Sequence, residues 1–228
     1  MNETNFNWKN LYAIGGIAVF ANLVLMLVSV MGYILLPYAA GVTPTQEIYT
    51  LVQTNIWTAF IALDLGVSIT NLVSIFIYLA LYIALRRVDE AYALIALILG
   101  LVAVTAMIAA RPVFEIFTLS GLHASAGTDV DKSLYLVAGE SLLAHFHGAA
   151  WHISMFLGAL ASLINAILMR RSQFFIRTLA YIGIVTFTIG TFFWVPVLGL
   201  MFLFLSMLGS VLWSILLGRD FFRLAKGK

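Results

Sequence analysis

No cysteine occurs in these 228 residues, and that absence removes disulfides, thiolate metal sites, iron–sulfur clusters and cysteine nucleophiles together. Charge is nearly as scarce. Only 10% of residues are Asp, Glu, Lys or Arg, against 63% hydrophobic, and the mean hydropathy is +1.05. So little polar surface cannot cover a soluble core of this size, which excludes a water-soluble domain and leaves a polytopic membrane protein. The chain also lacks an HExxH helix, an internal repeat, a low-complexity linker and any soluble domain. No nucleic-acid partner is expected.

What the chain does have is apolar length. A bilayer core needs about 20 apolar residues per helix, and six stretches meet that need, at about 11–37, 54–85, 91–119, 136–169, 175–194 and 198–217. The expected fold is all-α, with six transmembrane helices in one bundle and a single domain over residues 1–228. Stretches two and four are long enough to tilt or to project beyond the membrane. The breaks carry turn chemistry: Pro37 and Gly41 to Pro44, Arg86 to Glu90, Ser120 to Lys132, Arg170 to Ser172, and Pro196. The first stretch is too long for a signal-peptide core and reads as a retained span.

Orientation follows from the cations. Lys9, Arg86, Arg87, Arg170, Arg171, Arg177, Arg219, Arg223, Lys226 and Lys228 fall on one side, while the other holds only Lys132, with Arg111 nearby. The positive-inside rule then makes both termini cytoplasmic. Asn2-Glu3-Thr4 matches a glycosylation sequon, but it is a short match on the cytoplasmic side. Arg219 to Lys226 reads as a short amphipathic tail whose basic residues could touch anionic lipid, at about 1 kcal/mol each.

This topology gathers the scattered polar residues. Asp64, Ser68 and Asn71 are spaced i, i+4, i+7 along span two and would share one stripe in its outer half. Arg111 and Glu115 fall near the outer end of span three, and Glu140, His145, His147 and His152 in the outer half of span four. Ionisable groups are expensive in hydrocarbon, so nine polar residues from three helices predict a polar pocket at or beneath the outer surface.

On one continuous helix, Glu140 and His147 would lie within about 20° of each other, and His145 and His152 would share a second face about 140° away. A two-histidine and carboxylate site for a divalent transition metal would draw His145, His147 and His152 together with Asp64 or Glu115. The plainer reading is histidines hydrogen-bonded within a polar core. Pro112 removes a bond to the Ile108 carbonyl and predicts a kink in span three. Beside it, Arg111 either pairs with Glu115, Asp64 or Glu140, or holds the anionic head of a lipid or fatty acid.

Two ridges of small residues recur at every fourth position: Ala150, Ser154, Gly158, Ser162 and Ala166, then Ser206, Ser210, Ser214 and Gly218. Such ridges let helix backbones approach closely, as packing seams or as a face for a second copy or a membrane partner. Trp8, Tyr38, Trp57 and Trp194 are candidates for the membrane interface.

The runs Asp64…Ala80-Leu81-Tyr82-Ile83-Ala84-Leu85-Arg86-Arg87-Val88-Asp89-Glu90, Ala110-Arg111-Pro112-Val113-Phe114-Glu115-Ile116 and Ala138-Gly139-Glu140-Ser141-Leu142-Leu143-Ala144 resemble a family of small bacterial membrane proteins, the DUF4386 family. The likeness continues through Gly148 to Ser154, Leu168 to Ser172, Ala180 to Ile184, and Leu212 to Phe222. It implies a six-helix protein of the bacterial inner membrane, and it carries no activity, ligand or catalytic residue. His145-Phe146-His147 stands outside the resembling pattern.

Three classes of function fit these residues. The first is a membrane protein whose outer pocket binds a small amphiphile or lipid, or which serves as an accessory subunit. The second is an intramembrane metal-dependent enzyme acting on lipid, with the histidines and Asp64 or Glu140 as ligands or acid and base. The third is a small proton-coupled transporter gated by Asp64, Arg111 and Glu140, against which the missing repeat counts.

Overall fold

A computed structural model describes residues 8–227, with Tyr33 described in its backbone only; the Asn2 sequon and Lys228 lie outside the described residues. The described residues form α1 (Lys9–Leu35), α2 (Thr45–Thr54), α3 (Ile56–Ala62), α4 (Leu65–Leu85), α5 (Glu90–Ala109), α6 (Val113–Ser125), α7 (Asp129–Ala144), a turn of 3-10 helix (His145–His147), α8 (Ala149–Arg171), α9 (Arg177–Gly190) and α10 (Gly199–Ala225), and no strand. Five stretches are long and apolar enough to cross a membrane: Lys9–Gly32, Leu65–Leu85, Glu90–Ser125, Asp129–Arg171 and Gly199–Ala225. The protein is thus all-helical and of multi-pass membrane type. Large side chains such as Ile17, Val24, Phe204 and Leu208 are exposed, as lipid-facing residues must be.

The fifth expected span is shorter than its sequence limits. α9 has 14 residues, below the length that crosses a hydrocarbon core unaided. Past Gly190 the chain leaves the helix in turns, and Val197, next to Pro196, takes a left-handed φ of 66°. Three other expected spans are interrupted. Leu63 and Asp64 separate α3 from α4, Ala110 to Pro112 separate α5 from α6, and the 3-10 turn with Gly148 separates α7 from α8.

The chain divides into two compact units, one of residues 8–23, Leu72–Val104 and 154–227, the other of Val24–Asn71 and Thr105–Ile153. In the first unit Val19, Leu81, Leu85, Leu168, Met169, Leu179, Leu217 and Phe221 form the buried core. From Ser154 onward the small-residue ridge of α8 is a seam within this unit. Ser154 Oγ donates to the Ala103 carbonyl at 2.7 Å, Gly158 faces Ala103, and Ala166 lies against Gly183 of α9. On α10, Gly218 leaves room for the Phe20 ring. Arg219 to Ala225 form the last turns of α10, with Asp220 and Phe221 buried, and Asp220 Oδ2 accepts the Ile176 amide at 3.0 Å.

The second unit has its own core of Ile48, Tyr49, Leu63, Val113, Ile116, Leu143 and Phe146. Tyr49 anchors α2. Its hydroxyl donates to the Tyr135 carbonyl at 2.8 Å, and its own carbonyl accepts the Ser120 hydroxyl at 3.1 Å. Gly139 makes this contact possible, since a Cβ there would collide with the Tyr49 hydroxyl and Thr45.

Candidate functional site

The interrupted helices of the second unit meet at one ion pair. Asp64 has a φ of 59°, a left-handed conformation that Asp adopts more readily than most residues. There it ends α3 and starts α4: its amide donates to the Ile61 carbonyl at 3.1 Å, and its carbonyl accepts the Val67 amide at 3.0 Å. The left-handed turn aims the carboxylate at Arg111, whose Nε donates to Asp64 Oδ2 at 3.0 Å with both side chains buried.

Arg111 is set by the proline after it. Pro112 has no N–H to give the Ile108 carbonyl, and the Arg111 amide takes that carbonyl at 3.0 Å, tightening the end of α5 before the chain turns into α6. From this break the guanidinium reaches a third interruption. Its Nη1 donates to the Phe146 carbonyl at 2.9 Å, inside the 3-10 turn, and to the Ala110 carbonyl at 3.3 Å, while the Phe146 ring lies 4.9 Å beneath it. A 3-10 turn leaves carbonyls outside the regular ladder, and Arg111 satisfies one of them. Gly41, with φ 77°, brings the segment after α1 against the Leu143 carbonyl and His147 Nδ1. The Ala40 amide in that segment donates to the Ala62 carbonyl at 3.3 Å.

The nine residues predicted from sequence divide sharply. Asp64 and Arg111 meet. Ser68 and Asn71 are half-buried on α4, and Asn71 Nδ2 returns to the Val67 carbonyl of its own helix at 2.9 Å. The expected Asp64, Ser68, Asn71 stripe does not form as a helix face, because Asp64 precedes α4 in a left-handed turn. Glu115, Glu140, His145, His147 and His152 are exposed. The 3-10 turn also cancels the angular bookkeeping for a continuous helix four, so Glu140 with His147, and His145 with His152, do not share helical faces. His147 and His152 instead flank Trp151, with ring centroids 5.3 and 4.8 Å away, and His152 Nδ1 lies 3.0 Å from the Gly148 carbonyl.

Among the described residues, no group of three or more His, Asp or Glu side chains is arranged to hold a metal ion. Arg111 is engaged by Asp64 and by the Phe146 carbonyl. A cavity of about 620 Å³ in the first unit and one of about 170 Å³ beside α2 are lined by none of the nine residues. Sequence reasoning missed the Phe146 carbonyl, an acceptor created only by a local change of helix type. It also missed Tyr49 with Gly139, for which an aromatic facing a glycine across 90 positions leaves no periodic signal.

Apolar composition, five helical stretches of membrane-crossing length and no strand among the described residues define a helical multi-pass membrane protein. The chain belongs to the family described as a domain of unknown function, DUF4386, whose model matches residues 17–219. No curated protein and no solved structure matches it.

Proposed function

We propose that this is a six-span protein of the bacterial inner membrane, with both ends in the cytoplasm, that holds a small amphiphile or lipid at a polar site in its outer half. The carrying observation is the Asp64–Arg111 pair, which ties together helix interruptions from three segments of one unit. Irregular backbone at membrane depth is tolerated where protein buries it or where it borders a polar space, and here the pair seals the breaks while five ionisable residues beside them stay exposed. Because the exposed groups are Glu115, Glu140, His145, His147 and His152, the favoured head group carries hydroxyl or ammonium donors rather than phosphate. The apolar part of the ligand would lie among lipid-facing side chains.

The test is native mass spectrometry of protein purified in mild detergent, followed by extraction of whatever is bound. The expected result is a co-purifying amphiphile that is lost when Glu140→Gln is combined with His145→Ala, His147→Ala and His152→Ala. Absence of any bound amphiphile, or equal retention by the variant, would sink the reading.

A proton-coupled carrier is the second reading. Interrupted helices with a charge pair at the breaks are the construction that transporters use at their binding sites, and this favours it over an enzyme.

A further inference from the structure

The first unit contains a cavity of about 620 Å³ that the sequence treated only as a set of topology markers. Its walls come from the start of α1, the end of α4, the segment joining α8 to α9, and the end of α10. Four cations line it, Lys9, Arg86, Arg87 and Arg223, together with the aromatic side chains of Trp8 and Tyr12, and among the described residues no acidic one lines it. Of the nearby carboxylates, Asp89 caps the start of α5 and Asp220 pairs with Arg223, leaving Lys9, Arg86 and Arg87 as the cations that neither carboxylate offsets. Asp89 Oδ1 accepts the Tyr92 amide at 3.2 Å, and Asp220 Oδ2 accepts the Ile176 amide at 3.0 Å while its other oxygen lies 3.6 Å from Arg223.

Two of the cationic groups, Arg86 and Arg223, are held in place before any ligand arrives. The Arg86 guanidinium sits 5.2 Å over the Trp8 ring. Arg223 Nη2 donates to the Phe174 carbonyl at 2.6 Å, which fixes the guanidinium at the cavity wall, while its Nε has no hydrogen-bond partner. Tyr12 stacks on the buried Phe221, with centroids 6.4 Å apart. Ile83, Ala84 and Leu224 supply an apolar surface within the same cavity.

We propose that this cavity binds a phosphate-bearing anion, the head group of an anionic phospholipid. Guanidinium forks match phosphate oxygens in geometry as well as charge, and preordered arginines lose less freedom on binding. The volume falls within the range of sites for small ligands. A soluble organic phosphate would satisfy the same cations. The lipid source is favoured because the walls are the ends of apolar helices, where Trp and Tyr mark the membrane interface and where anionic lipid concentrates beside basic residues. The apolar wall would take the glycerol backbone and the first part of the acyl chains.

The experiment uses the full chain in mild detergent, titrated with phosphatidylglycerol, phosphatidylcholine and glycerol phosphate and read by native mass spectrometry. Phosphatidylglycerol should be retained at least tenfold better than phosphatidylcholine. Arg87→Gln and the double variant Arg86→Gln with Arg87→Gln should each reduce that preference tenfold or more, with the thermal unfolding midpoint unchanged. Arg87→Lys, which keeps the charge, should restore part of it. Glycerol phosphate displacing phosphatidylglycerol at equal concentration would support the phosphate site but overturn its lipid source. Equal retention of the two lipids by the wild-type chain, or an undiminished preference in both arginine variants, would overturn the proposal. Amphiphile binding at the Glu140 and histidine site should not respond to Arg87→Gln, so the two sites can fail separately.

Discussion

Asp64 and Arg111, 47 positions apart in sequence, form a buried ion pair at 3.0 Å with side chains 3% and 4% exposed. Each sits at a helix interruption, and Arg111 extends the connection to the Phe146 carbonyl in a third. Removing one partner strands a buried charge, whereas removing both does not. Asp64→Ala or Arg111→Ala alone should therefore cost about 3–5 kcal/mol, and the double variant less than the sum. Reversible unfolding of detergent-solubilised protein across the full double-mutant cycle checks this, and simple additivity would show that the pair contributes no coupling.

Backbone conformation and charge can be separated at Asp64. Asn tolerates the left-handed turn and keeps an acceptor for Arg111, while Val clashes in that conformation and offers none. Asp64→Asn should stay folded and lose less stability than Asp64→Val. Equal losses in thermal unfolding would mean the left-handed turn contributes nothing to the choice of residue.

Gly139 is the floor on which the Tyr49 hydroxyl lies, so Gly139→Ala forces the ring away and breaks its bond to the Tyr135 carbonyl. Overpacking of this kind costs about 1–3 kcal/mol. The companion substitution Tyr49→Phe removes the colliding oxygen and should recover part of the loss. A Gly139→Ala protein as stable as wild type would contradict this packing.

Tyr49 also gives the second unit a dependence on alkaline pH. Burial pushes its phenol up from the ordinary 10.0 to about 12. A folded value above the unfolded one means that the protonated phenol is the form the fold prefers. Its contribution is complete below pH 10 and is lost as pH rises through about 12. The unfolding midpoint of wild type should fall more steeply over that window than that of Tyr49→Phe, which has nothing to titrate there. Parallel slopes would contradict the assignment.

His145, His147 and His152 are exposed and not drawn together with carboxylates. Changing all three to Ala should therefore leave the metal content of protein purified without a metal-affinity tag the same as wild type. Near-stoichiometric metal that disappears in the variant would reinstate the metal-dependent enzyme and name its ligands.

Much of the fold was legible because hydropathy is a one-dimensional property. The apolar stretches, the break at Pro112, and the arginine and aspartate that meet could all be read from residue type and spacing. Among the three partners considered for Arg111, the sequence offered no means of choosing Asp64 over Glu115 or Glu140. The choice depends on a left-handed turn at Asp64 and a loss of helix at Pro112, both of which redirect side chains away from ideal helical angles. The faces calculated for Glu140, His145, His147 and His152 failed for the same reason, since one turn of 3-10 helix rotates everything beyond it. The basic cavity was hidden differently, because its cations lie in three separate segments and each is accounted for singly by membrane topology.

By itself, then, the sequence determined the solvent of this protein: a chain with 63% hydrophobic and 10% charged residues must meet lipid, and its backbone must close its hydrogen bonds in helices. Only the tertiary structure decided where those helices stop, which charge answers which, and which cations share a cavity. Those outcomes depend on contacts between residues distant in the chain, where a single irregular turn changes the direction of every side chain after it.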